Sequence, residues 1–149
     1  MGKMLATSAA IVWGLVIIAF TLQQGPASGA LSGGITRTLY GYLEGVPGFT
    51  RLFDFTRFHV FIRAGAHVFN YFVFGVLMSN AVRYYTPLNT KMRLTLIVFG
   101  ALYGFLDESL QRLVPGRGFA WLDVFYDALG FTLGIISYHY LKLLIKLHK

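Results

Sequence analysis

Cysteine is absent from the 149 residues, which excludes a disulfide framework, a thiolate nucleophile, a palmitoyl anchor and a cysteine-held iron–sulfur cluster. Charge is scarce too. Asp, Glu, Lys and Arg make up 13% of the chain against 56% hydrophobic residues. With a mean hydropathy of +0.60, this is too apolar for an ordinary water-soluble domain of its size and reads as one membrane domain over residues 1–149. Acids are the rarer charges, six against thirteen basic residues, for a net charge of +7. The basic residues are dispersed around apolar runs and form no stripe suited to phosphates, so nucleic acid is not an expected partner and membrane lipids are.

Four runs are long enough at 1.5 Å per residue to cross a hydrocarbon core of about 30 Å. They cover residues 4–22, 64–82, 94–114 and 122–141, and predict an all-α integral membrane bundle of four transmembrane helices. The first run is longer than a usual signal-peptide core, and Ala27-Ser28-Gly29 is a poor cleavage site, so it is expected to be retained. The third run turns polar in its last two turns, and Pro115-Gly116 closes it. Residues 23–62 read as a long extracytoplasmic loop. Its second half, rich in Phe and Arg, is either interfacial or a soluble loop, because Arg51, Asp54 and Arg57 do not make one clean polar face.

With four spans, Lys3, Arg83, Lys91, Arg93, Lys142, Lys146 and Lys149 fall on one side with no acid among them. The other side receives six arginines and all six acids. The first group crowds short segments beside helix ends, where the positive-inside rule applies best, and this places both termini in the cytoplasm.

Counting inward from those ends, His67 lies 16 residues from Arg83, Asp107 lies 14 from Arg93, and Asp127 lies 15 from Lys142. All three therefore sit roughly 21 to 24 Å up their helices, at one depth in the outer half of the bilayer. Facing agrees with depth. Arg63, His67, Tyr71 and Gly75 form one helical stripe, Gly100, Gly104, Glu108 and Gln111 a second, and Asp123, Asp127, Gly130 and Gly134 a third. Each stripe is polar toward the outside and small toward the inside. The Gly-x-x-x-Gly pairs, 100/104 and 130/134, are expected to let the third and fourth helices approach closely.

Four acids within residues 107–127 cannot all stay charged in low dielectric without cations or bound protons. Arg63, Arg117 and Arg112 are the available cations. One reading is a structural salt-bridge network, with Arg117 a bidentate partner of Glu108 or Asp123. The other is a headgroup-binding or catalytic pocket, since ionisable residues inside a membrane are functional candidates by default. His67 is the best proton donor or acceptor, or else is bonded to a neighbouring acid. His59, His139 and His148 read as interfacial. Ser109 lacks any activating neighbour, and Tyr71 reads as a bundle tyrosine with a bonded hydroxyl. His67, Glu108 and Asp127 are ligand types, but no His-x-x-x-His or Glu-x-x-His spacing supports a metal, so neither metal nor other cofactor is expected.

Asp107-Glu108-x-x-Gln111-x-x-x-Pro115-Gly116-Arg117, followed by Asp123-x-x-x-Asp127-x-x-Gly130, resembles the second half of the VanZ-like family. Arg63-x-x-x-His67-x-x-x-Tyr71 resembles an earlier block of that family, and Gln23-Gln24-Gly25 through Ser28 and Ser32 its first loop. The resemblance covers most of the chain. It departs in three places: Ala64 stands where the family usually has lysine, Asn70 often replaces an acid, and Asp127 stands where asparagine is usual. The resemblance implies a four-span bacterial envelope protein in a family named after a member associated with teicoplanin resistance, and it implies no established reaction.

Three functions compete. The first is a binding module, in which Arg63, His67, Tyr71, Asp107, Glu108, Gln111, Arg117, Asp123 and Asp127 engage a lipid, a lipid-linked cell-wall precursor or a lipoglycopeptide antibiotic. The second is an enzyme on a lipid-linked substrate, with Glu108, His67 and Asp127 as candidate catalytic residues. The third is a proton-linked transporter, which a bundle this small without an internal repeat would perform as a homo-oligomer. The absence of an activated nucleophile favours binding.

Overall fold

A computed structural model describes residues 2–147. His148 and Lys149, assigned above to the interface and the cytoplasmic side, lie outside the described residues, as does the side chain of Lys146. Six helices follow one another: α1 (Gly2–Thr21), α2 (Gly25–Leu43), α3 (Phe49–Leu52), α4 (Phe55–Val82), α5 (Thr90–Gln111) and α6 (Trp121–Leu147), with no strand among the described residues. α1 packs on α4 and α5, and α6 packs on the same two from the opposite side, so the four long helices form a ring. α2 lies against α4.

The ring is apolar outside, and inside it a cluster of buried acids stands beside an apolar core of Ile17, Phe74, Leu96, Phe131 and Ile135. Ile11 and Leu15 on α1, Leu102 on α5 and Leu122 on α6 are more than half exposed, whereas Glu108 and Asp127 are fully buried. This inverts the distribution of a protein in water and is what a hydrocarbon solvent selects. The chain is an all-α membrane protein. α1, α4 and the 121–145 stretch of α6 are long and apolar enough to cross a bilayer. α5 is as long as α1, but Asp107, Glu108 and Gln111 near its end reduce its apolarity.

The segment 23–62, expected as a loop, is mostly helical. Gly25, Pro26 and Ser28 read as turn residues, yet proline in the first helical turn costs no hydrogen bond because the first amides have no partner in the helix, and Pro26 occupies that turn of α2. α4 begins at residue 55 instead of 64, because the Asp54 side chain accepts the Arg57 backbone N–H at 2.8 Å and caps the helix there. α5 begins at residue 90 for the same reason, with Asn89 accepting from the Met92 N–H at 2.9 Å. At 28 residues, or about 42 Å, α4 exceeds the hydrocarbon core, and residues 55–63 are its surplus. Tyr40, Phe49, Phe53, Phe55 and Phe58 form a ring cluster that ties this surplus to α2 and α3.

Close helix approach is set by glycine, with a change of partner from the one expected. A Cβ at Gly130 would overlap the Val68 carbonyl oxygen, and one at Gly134 would overlap that of Phe72. That pair therefore seats α6 on α4, not on α5. Gly75 completes the seam from the α4 side, against the Phe131 backbone. Gly100 and Gly104 do face α6, making room for the Phe131 ring and the Asp127 side chain.

The ends of the bundle separate by charge. At one end the Lys3 ammonium sits 4.0 Å from the Tyr85 ring centroid, the Arg83 guanidinium 4.4 Å from that of Tyr84, and Tyr138 donates to Asn80 at 3.1 Å. This joins the N-terminus, the end of α4 and the late part of α6. Asp107, Glu108, Asp123 and Asp127 lie toward the other end.

Candidate functional site

A chain of charge runs from the rim inward. Arg63, exposed on α4, donates to the Asp123 carboxylate in the first turn of α6 at 3.1 Å. His67, one turn further along α4, has Nε2 at 3.7 Å from the same carboxylate and Nδ1 at 2.9 Å from Asp127 Oδ1. Both helices present residues four apart, so the pairs stack one turn above the other. Gly104 provides the space that Asp127 fills: a Cβ there would stand 2.8 Å from that of Asp127.

The acids of α5 are held by neutral donors. Asp107 accepts from the Tyr71 hydroxyl at 3.1 Å and from the Thr21 hydroxyl. Glu108 accepts the Ala120 backbone N–H at 3.0 Å and the Gln111 side-chain amide. Among the described residues, Asp107 and Glu108 have no basic side chain within 4.0 Å, so of the four acids in this cluster Asp123 alone is paired with a guanidinium.

Arg117 does not make the expected pair with Glu108 or Asp123. Its guanidinium donates to the carbonyls of Phe20 at 2.9 Å and of Thr21 and Gln23 at 3.5 Å. The last carbonyls of a helix have no partner within it, and the Nη1 group of the guanidinium is shared among them. The Pro115-Gly116-Arg117 turn is docked as a unit. Gly25 N–H donates to the Pro115 carbonyl at 3.1 Å, and Gly116 has φ +75°, a conformation that favours glycine. Burial, and after it the nearby Arg63 charge, lowers the Arg117 pKa, while Glu108, Asp107 and Asp123 pull it back.

These groups border a cavity of about 430 Å³. Arg63, His67, Tyr71, Asp107, Gln111 and Arg117 line it, whereas Glu108, Asp123 and Asp127 stand behind its wall. Arg112 is not among its lining residues. The sequence reading missed the α1–α2 contribution: Thr21, Gln23, Ser28 and Ser32 also line the cavity, as does His59 on α4, whose Nε2 lies 3.1 Å from the Ser32 hydroxyl. The Gln23-Gln24-Gly25…Ser28…Ser32 block was the signal that pointed there. Apolar wall is supplied by Ile17, Phe20, Leu31, Ile35 and Ile62.

Among the described residues, three buried side-chain polar atoms have no hydrogen-bond partner: Ser79 Oγ, Gln111 Oε1 and Asp127 Oδ2. Two of the three belong to this cluster. One ligand atom each from His67, Glu108 and Asp127 lie within 4.8 Å of one another. Ser109, in contrast, donates its hydroxyl to the Phe105 carbonyl in its own helix at 2.6 Å and takes no part.

The profile of the VanZ/LLP1 family matches residues 7–144, which takes in every residue of the cavity and of the charge chain. The chain belongs to the VanZ/LLP1 family. Comparison with curated proteins and with solved structures returns no match. The VanZ/LLP1 match spans all six helices except the outermost residues of α1 and α6, so the α2 wall of the cavity falls inside it, as do the long helices.

Proposed function

We propose that this VanZ/LLP1 chain binds the headgroup of a lipid or of a lipid-linked cell-wall precursor in the outer leaflet of the bacterial cytoplasmic membrane. The observation that carries this reading is the divided lining of the cavity. Arg63 and Arg117 supply positive charge, His59 and His67 add polar groups one turn to either side of Arg63 on α4, and Ile17, Phe20, Leu31, Ile35 and Ile62 supply an apolar wall beside them. A phosphate or carboxylate headgroup with an attached hydrocarbon chain satisfies both parts; a soluble solute satisfies only the first. α5 crosses as the fourth span, which puts Lys3, Arg83, Lys91, Arg93 and Lys142 in the cytoplasm with both termini, and the cavity on the outside. A catalytic role is less well supported, because Ser109 is bonded within its own helix and, among the described residues, no hydroxyl is hydrogen-bonded to His67.

Native mass spectrometry of the protein released from nanodiscs is the test. The expected result is a co-purifying phosphorylated lipid whose occupancy falls about tenfold in Arg63→Ala, a rim residue whose loss leaves the bundle intact. Unchanged occupancy in Arg63→Ala, or no retained lipid in the wild-type chain, overturns the reading. Engagement of a lipoglycopeptide is tested separately by growth inhibition. A sensitive bacterium expressing the chain is expected to show a shift for teicoplanin, not vancomycin, that is lost in Arg63→Ala at matched membrane abundance.

A further inference from the structure

We infer that His67, Glu108 and Asp127 form a divalent-cation site at the floor of the cavity. The ligand set comes from three helices, one residue each from α4, α5 and α6, with ligand atoms within 4.8 Å of one another. Residues 41 and 19 positions apart leave no local spacing in the chain, which is why the usual sequence signatures are silent.

Four independent features support an ion there. Glu108 and Asp127 are both fully buried, and Glu108 has no basic side chain within 4.0 Å among the described residues. The Asp127 Oδ2 atom is buried without a partner, although a carboxylate so placed ordinarily finds a donor. Gln111 is 2% exposed and anchored by its amide nitrogen to Glu108, and its Oε1 is likewise unpartnered, offering a fourth ligand atom, a neutral oxygen. The far side of the His67 ring faces a carboxylate: Asp123, held by Arg63, stands 3.7 Å from Nε2, within ion-pair range, leaving Nδ1 directed at Asp127.

One imidazole nitrogen with carboxylate and amide oxygens suits Zn²⁺ or Mn²⁺; Mg²⁺ and Ca²⁺ prefer all-oxygen shells and no thiolate is present to select a softer ion. Two buried carboxylates would then be neutralised by one ion instead of by protons. His67 and Gln111 line the cavity, which supplies the entry path. The inference stands apart from the lipid reading, since metal content is measured without any lipid.

The test uses the full chain, purified in detergent with its affinity tag removed, stripped with a chelator, and exposed separately to Zn²⁺ and Mn²⁺ before dialysis and elemental analysis. Roughly one ion per chain is expected for one of these metals, with affinity lowered about tenfold or more in Glu108→Gln and in Gln111→Ala. X-ray absorption on the loaded wild-type protein is expected to show a single imidazole nitrogen among oxygen ligands, a readout that holds even where a variant fails to fold. Absence of both ions from the wild-type chain overturns the inference. So does an ion retained equally by a folded Glu108→Gln variant, or a shell without imidazole.

Discussion

The guanidinium of Arg117 donates to the carbonyl oxygen of Phe20 at 2.9 Å, closing the end of α1 from 97 residues further along the chain. A basic group at a helix C-terminus meets both the unpaired carbonyls and the negative end of the helix dipole. Arg117→Ala is therefore expected to destabilise the folded protein by about 1 to 2 kcal/mol, read as a lower unfolding temperature in detergent. Arg117→Lys is expected to recover part of the loss, since all three bonds come from the one nitrogen Nη1 and an ammonium keeps the charge and the donors. Equal stability of Arg117→Ala and wild type would contradict a capping role.

Gly134 and Gly33 make a controlled pair. A Cβ at Gly134 would overlap the Phe72 carbonyl oxygen, whereas nothing lies within 4 Å of one at Gly33. Gly134→Ala is expected to cost about 3 kcal/mol by forcing α6 away from α4, with loss of monodisperse protein on size-exclusion chromatography. Gly33→Ala is expected to be neutral or to stabilise α2 by about 0.5 to 1 kcal/mol, because alanine restricts the unfolded chain.

Tyr71 is 1% exposed and donates to Asp107 at 3.1 Å. Tyr71→Phe keeps the ring packing and removes one of the two side-chain donors to that carboxylate, the other being the Thr21 hydroxyl. A loss of about 1 to 3 kcal/mol in thermal unfolding is expected. No change would mean that water replaces the hydroxyl from the cavity side.

Glu108→Gln and Asp127→Asn distinguish a binding site from a purely structural network. Both replacements keep an oxygen acceptor for Ala120 N–H or for His67 Nδ1. Under the proposed reading, membrane abundance stays near wild type while ligand occupancy falls; if the acids serve only to hold the helices, abundance falls with it. Quantitative immunoblotting of membranes beside the native mass spectra provides both numbers.

Hydropathy and helical period were enough to define the bundle from the chain alone. Long runs of Leu, Ile, Val and Phe have one stable solution in hydrocarbon, a helix with its backbone bonded internally, and a stripe of Asp, His and Gly every three or four residues has one place to go, the interior. Thus the depth shared by His67 and Asp127 was legible, and the two side chains meet at 2.9 Å. Helix starts were less legible, because the Asp54 and Asn89 caps act through single side-chain bonds that hydropathy does not register. Only the tertiary structure decided which partner each charge takes. Arg63 and Asp123 are 60 residues apart, and Arg117 and Phe20 are 97 apart, so no local pattern ranks one acid or carbonyl above another. The helicity of α2 was also decided there. Its glycines give weak intrinsic support, and its packing against α4, with Tyr40 in the aromatic cluster of α3 and α4, provides the context that the chain alone does not show.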